Sequence, residues 1–162
     1  MAWDTTLLGA LREEGPLIDL VHRQLTAGDP ISVTAASLHE VAYGYAKAAH
    51  AGNRGFVRLL AWLKGFISEG RIEVLPFSSR AAVLAGELRG RHHALPARKR
   101  ARQGSKAGAR VAWVMDIQIA ATVWTAGREL ATANRGDFEV IAELISELAP
   151  GGPPLHVATP PA

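Results

Sequence analysis

The fold is constrained most strongly by an alternation of short β-like runs with longer helical runs along the chain. The β-like runs read MAW, ISVTA, IEVLPF, ELATA and LHVA. Between them, apolar residues recur at the spacing of one helical face, as Leu38, Val41, Ala42 and Tyr45 do. This alternation is typical of an α/β fold, and it predicts a mainly parallel central sheet of about five strands.

Length and composition favour one soluble domain. The chain has 162 residues, 48% hydrophobic and 20% charged, and we predict a single domain over 1–158 with a short Pro-rich tail at 159–162. The longest apolar runs fall short of the roughly 18 residues of a membrane span, and the N-terminus lacks signal-peptide features. The absence of cysteine excludes disulfides and thiolate metal sites. We therefore expect a cytoplasmic enzyme or binding protein without membrane contact.

Charge is unevenly distributed although the net charge is only +3. No acidic residue lies between Glu87 and Asp116, and we predict a basic loop over 97–112 in this stretch. The basic residues between the two acids are Arg89, Arg91, Arg98, Lys99, Arg100, Arg102, Lys106 and Arg110. Two interpretations stay open: a surface for a polyanion such as nucleic acid, or a solvated loop with no specific partner.

Four acids, Asp4, Glu40, Asp116 and Asp137, fall at predicted boundaries between strands and helices. Asp4 follows the first strand, Glu40 is expected in the first turn after ISVTA, Asp116 is expected to open the apolar helix, and Asp137 follows ELATA. Parallel strands place their carboxyl ends at one edge of a sheet. Acids gathered there would repel one another unless Mg²⁺ or Mn²⁺ bound them. Such a site beside a basic loop suggests metal-assisted phosphodiester hydrolysis.

Each acid also has a purely structural interpretation. Asp4 is a suitable N-cap, and SLHE forms a capping box with Ser37 as cap and Glu40 at the third helical position. Asp116 and Asp137 could be first-turn acids that the helix dipole favours. Taken singly, each acid is better explained as a helix-start residue. Their shared position at strand-to-helix junctions is what supports a site.

Four stretches carry a resemblance to a known family. They read WDTTLLGAL, ISVTAASLHEVAYG, IEVLPFSSRAAVLAGELR and MDIQIAATVWTAGRELATANRGDFEVI, and they cover most of the chain up to about residue 142. In order and spacing they resemble PIN-domain proteins, specifically VapC-type toxin endoribonucleases of type II toxin–antitoxin systems. The resemblance implies a three-layer α/β/α sandwich and RNA cleavage by a water that Mg²⁺ or Mn²⁺ activates. It also implies a homodimer and a cognate VapB-type antitoxin whose tail fills the acidic cleft.

By position, Asp4, Glu40 and Asp116 match the core acids of the family. For the fourth acid we choose Asp137, although some members have an acid where this chain has Asn134. The resemblance thus implies Asp4, Asp116 and Asp137 as metal ligands and Glu40 as a ligand or a positioner of the attacking water. Thr5, Thr132 and Asn134 are expected to support the site. The basic residues expected to bind the phosphate backbone of RNA are Arg98, Lys99, Arg100 and Arg102.

Other interpretations of the acids and of the chain start remain. Receiver-like phosphoacceptor domains also place acids at strand ends, but they need adjacent acids after the first strand, where this chain has Asp4, Thr5 and Thr6. A catalytically inactive PIN-like scaffold that binds RNA or a partner is the other alternative. Only MAW precedes Asp4, which is shorter than the usual strand of about 5 to 6 residues. The first strand is therefore short, or the natural start lies upstream.

Overall fold

A computed structural model describes residues 1–10, 16–92 and 105–158 of the chain. Its strands are β1 (Ala2–Trp3), β2 (Ile31–Thr34), β3 (Ile72–Leu75), β4 (Leu130–Ala131) and β5 (Val157–Ala158). The described helices are α1 (Thr5–Ala10), α2 (Pro16–Thr26), α3 (Ala35–His50), α4 (Arg54–Ser68), α5 (Ser79–Arg91), α6 (Lys106–Thr125) and α7 (Arg135–Leu148). Strands and helices alternate in the order that the sequence predicts.

The five strands form one sheet in the order β3-β2-β1-β4-β5, and every pair is parallel. The chain first builds the sheet outward on one side, through β2 and β3, and then crosses β1 to add β4 and β5. The order therefore reverses between β1 and β4. This topological switch point is the place where open α/β sheets bind their ligands. This order differs from the 2-1-3-4-5 order of receiver-type domains, so the receiver-like alternative is wrong.

Strand β1 has only two residues, yet it lies at the centre of the sheet. Ala2 is aligned with Ser32 on one side and Leu130 on the other, and Trp3 is aligned with Val33 and Ala131. Ala2 and Trp3 are both buried. Since successive side chains of a strand point to opposite faces, each residue of β1 enters a different half of the core.

The core is divided by the sheet into two clusters. Trp3 packs with apolar residues of α1 to α4, which include Leu8, Val21, Val41 and Leu63. Ala2 packs with residues of α5 to α7, which include Leu88, Trp113, Ile117, Phe138 and Ile141. Helices therefore cover both faces, and the predicted three-layer α/β/α architecture is confirmed. Of the helices that the structure describes, none is both long and apolar enough to span a lipid bilayer.

Helix α6 begins earlier than its apolar sequence suggests. Ser105 caps it, with its side chain accepting a hydrogen bond from the Gly108 N–H at 3.0 Å, and the helix continues from Lys106 to Thr125. Residues 106–112 are thus helical, and the predicted basic loop is wrong over that part. Lys, Arg and Ala are strong helix formers, so a serine cap is enough to start the helix there. Residues 97–104 lie outside the described part of the chain.

One face of α6 packs closely against the core. Ile117, Ala120 and Ala121 are each at most 1% exposed. The small alanine side chains permit a short distance between the helix and the sheet. At the end of α6, the indole N–H of Trp124 donates to the Pro153 carbonyl at 2.8 Å. This packing fixes the rotation of α6 about its axis, and with it the direction in which Asp116 points.

Candidate active site

Asp4 joins β1 to α1 and is the N-cap of that helix. Its Oδ1 accepts hydrogen bonds from the backbone N–H groups of Thr6 at 3.1 Å and Leu7 at 3.2 Å. An N-cap carboxylate satisfies helical N–H groups that have no partner within the helix. The side chain is only 3% exposed. The predicted capping role is therefore confirmed, and it holds the carboxylate at the carboxyl end of β1.

The β4–α7 junction contacts Asp4 from the other side of the switch point. Thr132 directly follows β4, and its hydroxyl donates to Asp4 Oδ2 at 2.5 Å. Thr6 donates its hydroxyl to Asp4 Oδ1 at 2.7 Å, and it accepts a hydrogen bond from the Ala133 N–H at 3.3 Å. Thr6 thereby joins the two junctions. The sequence interpretation did not include it, although the second threonine of Asp4-Thr5-Thr6 was a signal for a second hydroxyl there.

Burial raises the pKa of Asp4 above its ordinary value of 3.8. Hydrogen bonds from the Thr132 and Thr6 hydroxyls, and from the Leu7 and Thr6 N–H groups, oppose that rise. Among the described residues, three of these donors share Oδ1, while Oδ2 accepts from Thr132. A carboxylate oxygen has two lone pairs, so Oδ2 retains capacity for a further ligand. A cation there would offset the cost of burying the charge.

Asp137 lies in the first turn of α7 and is 0% exposed. Its Oδ2 accepts a hydrogen bond from the Asn134 side-chain amide at 2.9 Å. The Asn134 backbone N–H in turn donates to the Thr132 hydroxyl oxygen at 2.8 Å. These bonds link Asp137 through Asn134 and Thr132 to Asp4. The structure therefore brings the predicted supporting residues Thr132 and Asn134 into direct contact with two of the predicted acids.

Glu40 reaches the site from the second turn of α3. The helix is capped by Thr34, the last residue of β2, whose hydroxyl oxygen accepts the Ser37 N–H at 3.0 Å. The predicted capping box, with Ser37 as cap and Glu40 in the first turn, is wrong because the end of the strand itself supplies the cap. Instead, Glu40 Oε2 accepts a hydrogen bond from the Thr5 hydroxyl at 2.5 Å. Thr5 therefore orients Glu40, while its neighbour Asp4 is held by Thr6 and Thr132.

Asp116 lies in the interior of α6, ten positions after Lys106, and is 8% exposed. The prediction that it opens this helix is wrong, since Ser105 has that role. Within a helix, backbone N–H groups already bond the carbonyls four residues earlier, so capping does not explain a carboxylate here. Its neighbour Ile117 is buried in the core. Asp116 is thus an acid held near the core for a reason other than helix initiation.

The donor chemistry of these residues fits a hard cation. Three of the four predicted acids, Asp4, Asp116 and Asp137, are buried, and carboxylate oxygens are the preferred ligands of Mg²⁺. In the described ranges, however, no three acidic or histidine side chains are gathered closely enough to hold a metal ion. The four basic residues expected to bind RNA, Arg98, Lys99, Arg100 and Arg102, lie outside the described residues.

Comparison with known proteins places the fold and the site in context. The sequence profile of the PIN domain matches residues 1–144. No curated protein sequence matches the chain. Among solved structures, VapBC2 from Rickettsia felis bound to a promoter DNA fragment aligns with a TM-score of 0.62 at 17% identity, covering 99% of this chain and 98% of that one. DNA-bound VapBC from Salmonella typhimurium gives 0.61 at 25% identity, covering 98% and 96%.

FitAB bound to the IR36 DNA fragment is a third similar structure, with a TM-score of 0.59 at 18% identity, covering 98% of this chain and 93% of that one. Likeness at such identities speaks for the fold, whereas the profile match spans 144 of 162 residues and includes all four acids. PIN domains are generally nucleases that depend on divalent metals. The parallel sheet, the acids Asp4 and Asp137 at its switch point and the profile match lead to one conclusion: the chain belongs to the PIN domain family.

Proposed function

We propose that the protein is the toxin of a VapBC-like toxin–antitoxin pair and cleaves RNA endonucleolytically with Mg²⁺ or Mn²⁺. One observation carries the proposal: in a PIN domain, Asp4 and Asp137 lie at the two junctions of the β1–β4 switch point, Glu40 is bonded to Thr5 beside Asp4, and Asp116 is buried within α6. Helix initiation accounts for Asp4 and Asp137, but not for Glu40 and Asp116, which lie beyond the first turns of α3 and α6. A nuclease site explains why the fold retains all four.

In this proposal Asp4, Asp116 and Asp137 hold the metal, and Glu40 is a further ligand or orients the attacking water. When bound, the ion lowers the pKa of a water and stabilises charge on the phosphate. The other residues fix the acids. Thr132 and Thr6 hold both oxygens of Asp4, Asn134 holds Asp137, and Thr5 holds Glu40. Such outer hydrogen bonds set the orientation and basicity of ligating groups.

The partners follow from the same resemblance. The similar structures are of VapBC and FitAB assemblies, and we propose a cognate VapB-type antitoxin that occludes the acidic site. We also propose that the chain forms a homodimer. Arg98, Lys99, Arg100 and Arg102 would contact RNA phosphates and add affinity without sequence preference.

The test is cleavage of an end-labelled single-stranded RNA by the purified chain in Mn²⁺, in EDTA, and after the substitution Asp116→Asn. Cleavage is expected in Mn²⁺ alone and is expected to be lost in the variant. A matched control is Asp29→Asn, which changes an exposed acid in the turn after α2 and should cleave like the parent. Equal cleavage by the parent and Asp116→Asn, or cleavage that persists in EDTA, would refute the assignment.

An inactive PIN scaffold is the second candidate, and the lack of a gathered group of three acids in the described ranges favours it. The two are separated by isothermal titration of the chain with Mn²⁺. A nuclease is expected to bind the ion with a stoichiometry near one per chain, and Asp116→Asn is expected to weaken binding strongly. If the parent neither binds Mn²⁺ nor cuts RNA, the protein is an inactive PIN scaffold.

A further inference from the structure

The solvent face of α3 carries a stripe of aromatic and basic residues. His39, Tyr43, Lys47 and His50 are all exposed, and their spacing of four, four and three positions places them along one side of a helix. Tyr43 is 61% exposed, which is high for a large aromatic residue. Its ring lies 6.4 Å from that of His39, centroid to centroid, with 24° between the planes. The two rings thus form a nearly parallel pair that faces solvent.

This pair belongs to the helix that carries Glu40. Glu40 is the residue after His39, and its carboxylate accepts the hydrogen bond from Thr5. Thr5 itself follows Asp4 in the chain. His39 and Glu40 are therefore in the same turn of α3, and Tyr43 is in the next turn. A substrate whose phosphate reached the acids would have a neighbouring nucleotide close to His39 and Tyr43.

The stripe carries one formal positive charge, that of Lys47. Glu40 is the only acidic residue within Ala35–His50, and it is bonded to Thr5. Lys47 follows Tyr43 by one turn, and His50 lies one turn further along. The remaining exposed residues of this part of the helix, Gly44 and Ala46, offer little apolar area. A protein partner would need a wider apolar surface than two rings flanked by small residues and one lysine.

We propose that His39 and Tyr43 form a stacking platform for an unpaired RNA base, with Lys47 contacting the adjoining phosphate. The inference rests on the proposed nuclease function and specifies its substrate as single-stranded at this position. Unstacked bases are commonly bound on aromatic side chains, and such stacking tolerates any base because each has a π-face. Stacking beside the acids would hold the strand in register without reading its sequence.

The experiment measures binding of a fluorescent single-stranded RNA octamer to the full chain carrying Asp116→Asn, so that binding is recorded without cleavage. In this background, Tyr43→Ala is expected to weaken binding about 5- to 10-fold, which is the lower end of the effect of losing one stacked base. Tyr43→Phe keeps the ring and should bind like the parent. Val57→Ala, which alters an exposed residue of α4, is the surface control and should have no effect.

A second readout reports stacking itself. An octamer that carries 2-aminopurine at successive positions should show quenching at one position with Tyr43 or Phe, and the quenching should be lost in Tyr43→Ala. The same affinity for Tyr43→Ala and Tyr43→Phe would overturn the platform. So would a parent that does not bind the octamer, or a Tyr43→Ala change that alters only self-association in sedimentation. If the contrast in binding holds while the intact chain cuts no RNA, the platform stands and the nuclease proposal fails.

Discussion

The strand–helix junctions and the helix interiors hold their acids in different ways. At the β1–α1 and β4–α7 junctions, Asp4 and Asp137 lie at or next to the start of a helix, and each accepts hydrogen bonds from neighbouring residues. In the interiors of α3 and α6, Glu40 and Asp116 lie beyond the first turn, where backbone N–H groups are already bonded. The four acids therefore differ in how much local structure explains them.

This difference decides how much each acid says about function. A carboxylate at a helix start stabilises the helix whether or not it binds a metal, so its presence is weak evidence for a site. A carboxylate within a helix adds nothing to helix initiation, and Asp is a poor helix former. The 8% exposed Asp116 is thus the strongest single indication of a site. Predictions that separate stability from activity test this distinction.

The largest difference in how activity and stability respond is expected between Asp116→Asn and Asp137→Ala. Asp116→Asn should lower kcat/KM on an RNA oligonucleotide by about 10²- to 10³-fold or more, while the free energy of unfolding in EDTA changes by less than about 1 kcal/mol. Asp137→Ala should lower both kcat/KM and the free energy of unfolding. The stability should fall by about 1 to 3 kcal/mol, because the Asn134 side-chain amide loses its carboxylate partner. Urea unfolding and steady-state cleavage measure the two quantities.

Equal losses of stability in the two variants would contradict the comparison. The helix-start role of Asp137 would then be unimportant, or Asp116 would serve the fold in a way that its position inside α6 does not suggest. Asp137→Asn is the control, because an amide oxygen can still accept the hydrogen bond from Asn134. It should recover most of the stability that Asp137→Ala loses, and none of the cleavage.

The pH dependence of stability tests the cost of burying Asp4 at the β1–α1 junction. Burial raises the folded-state pKa of Asp4 above 3.8. The contribution of Asp4 to the free energy of unfolding is therefore fully present below pH 3.8, and it is lost as the pH rises through the folded-state pKa. In EDTA, Asp4→Asn should therefore become more stable relative to the parent as pH rises through that range. Saturating Mn²⁺ at neutral pH should reverse the order, because only the parent binds the ion well. Urea unfolding at a series of pH values measures the difference, and a pH-independent difference would contradict it.

The fold was predictable because its signals are periodic. Strands such as ISVTA and the apolar faces between them repeat along the chain, and parallel connections leave few ways to arrange them. Even the two-residue β1 was recoverable, since Asp4 after it marks a strand end. The start of α6 was not, because Lys106 and Arg110 continue the basic stretch of the sequence and were taken as part of a loop. The other residues of 106–110 are alanine and glycine, whose small side chains give only a weak periodic signal.

Candidate residues for the site could be chosen from the sequence, but their contacts could not. Asp4, Glu40, Asp116 and Asp137 were chosen by position and resemblance. The hydrogen bond from Thr5 to Glu40, however, spans 35 positions of sequence, and that from Thr132 to Asp4 spans 128. Hydrogen bonds over such separations are set by the order of strands in the sheet. Local pattern cannot show which of two adjacent hydroxyls points towards which acid.

A smaller effect on stability and on Mn²⁺ affinity is expected at Thr6, which joins the β1–α1 and β4–α7 junctions. Thr6→Val removes the hydroxyl that donates to Asp4 and accepts from the Ala133 N–H. We expect a loss of about 1 to 2 kcal/mol in the free energy of unfolding and about 10- to 100-fold weaker Mn²⁺ binding in calorimetry. Thr6→Ser keeps the hydroxyl and should restore the affinity for Mn²⁺. A valine variant with parental Mn²⁺ affinity would show that Thr132 alone is enough to hold Asp4.

The smallest effect is expected for Thr5→Val, which acts on a helix-interior acid. The Thr5 hydroxyl donates to Glu40 at 2.5 Å, but Glu40 is only partly buried, so water can replace the lost donor and stability should fall by about 0.5 to 1 kcal/mol. Cleavage should fall by about 10-fold or less, since Glu40 keeps its charge and loses only its orientation. Thr5→Ser should cleave like the parent. Because Thr5 follows Asp4 directly, a loss of activity in Thr5→Val as large as that of Asp116→Asn would mean that Thr5 controls the metal-binding acids themselves, and the separation between junction and interior acids would then fail at this point.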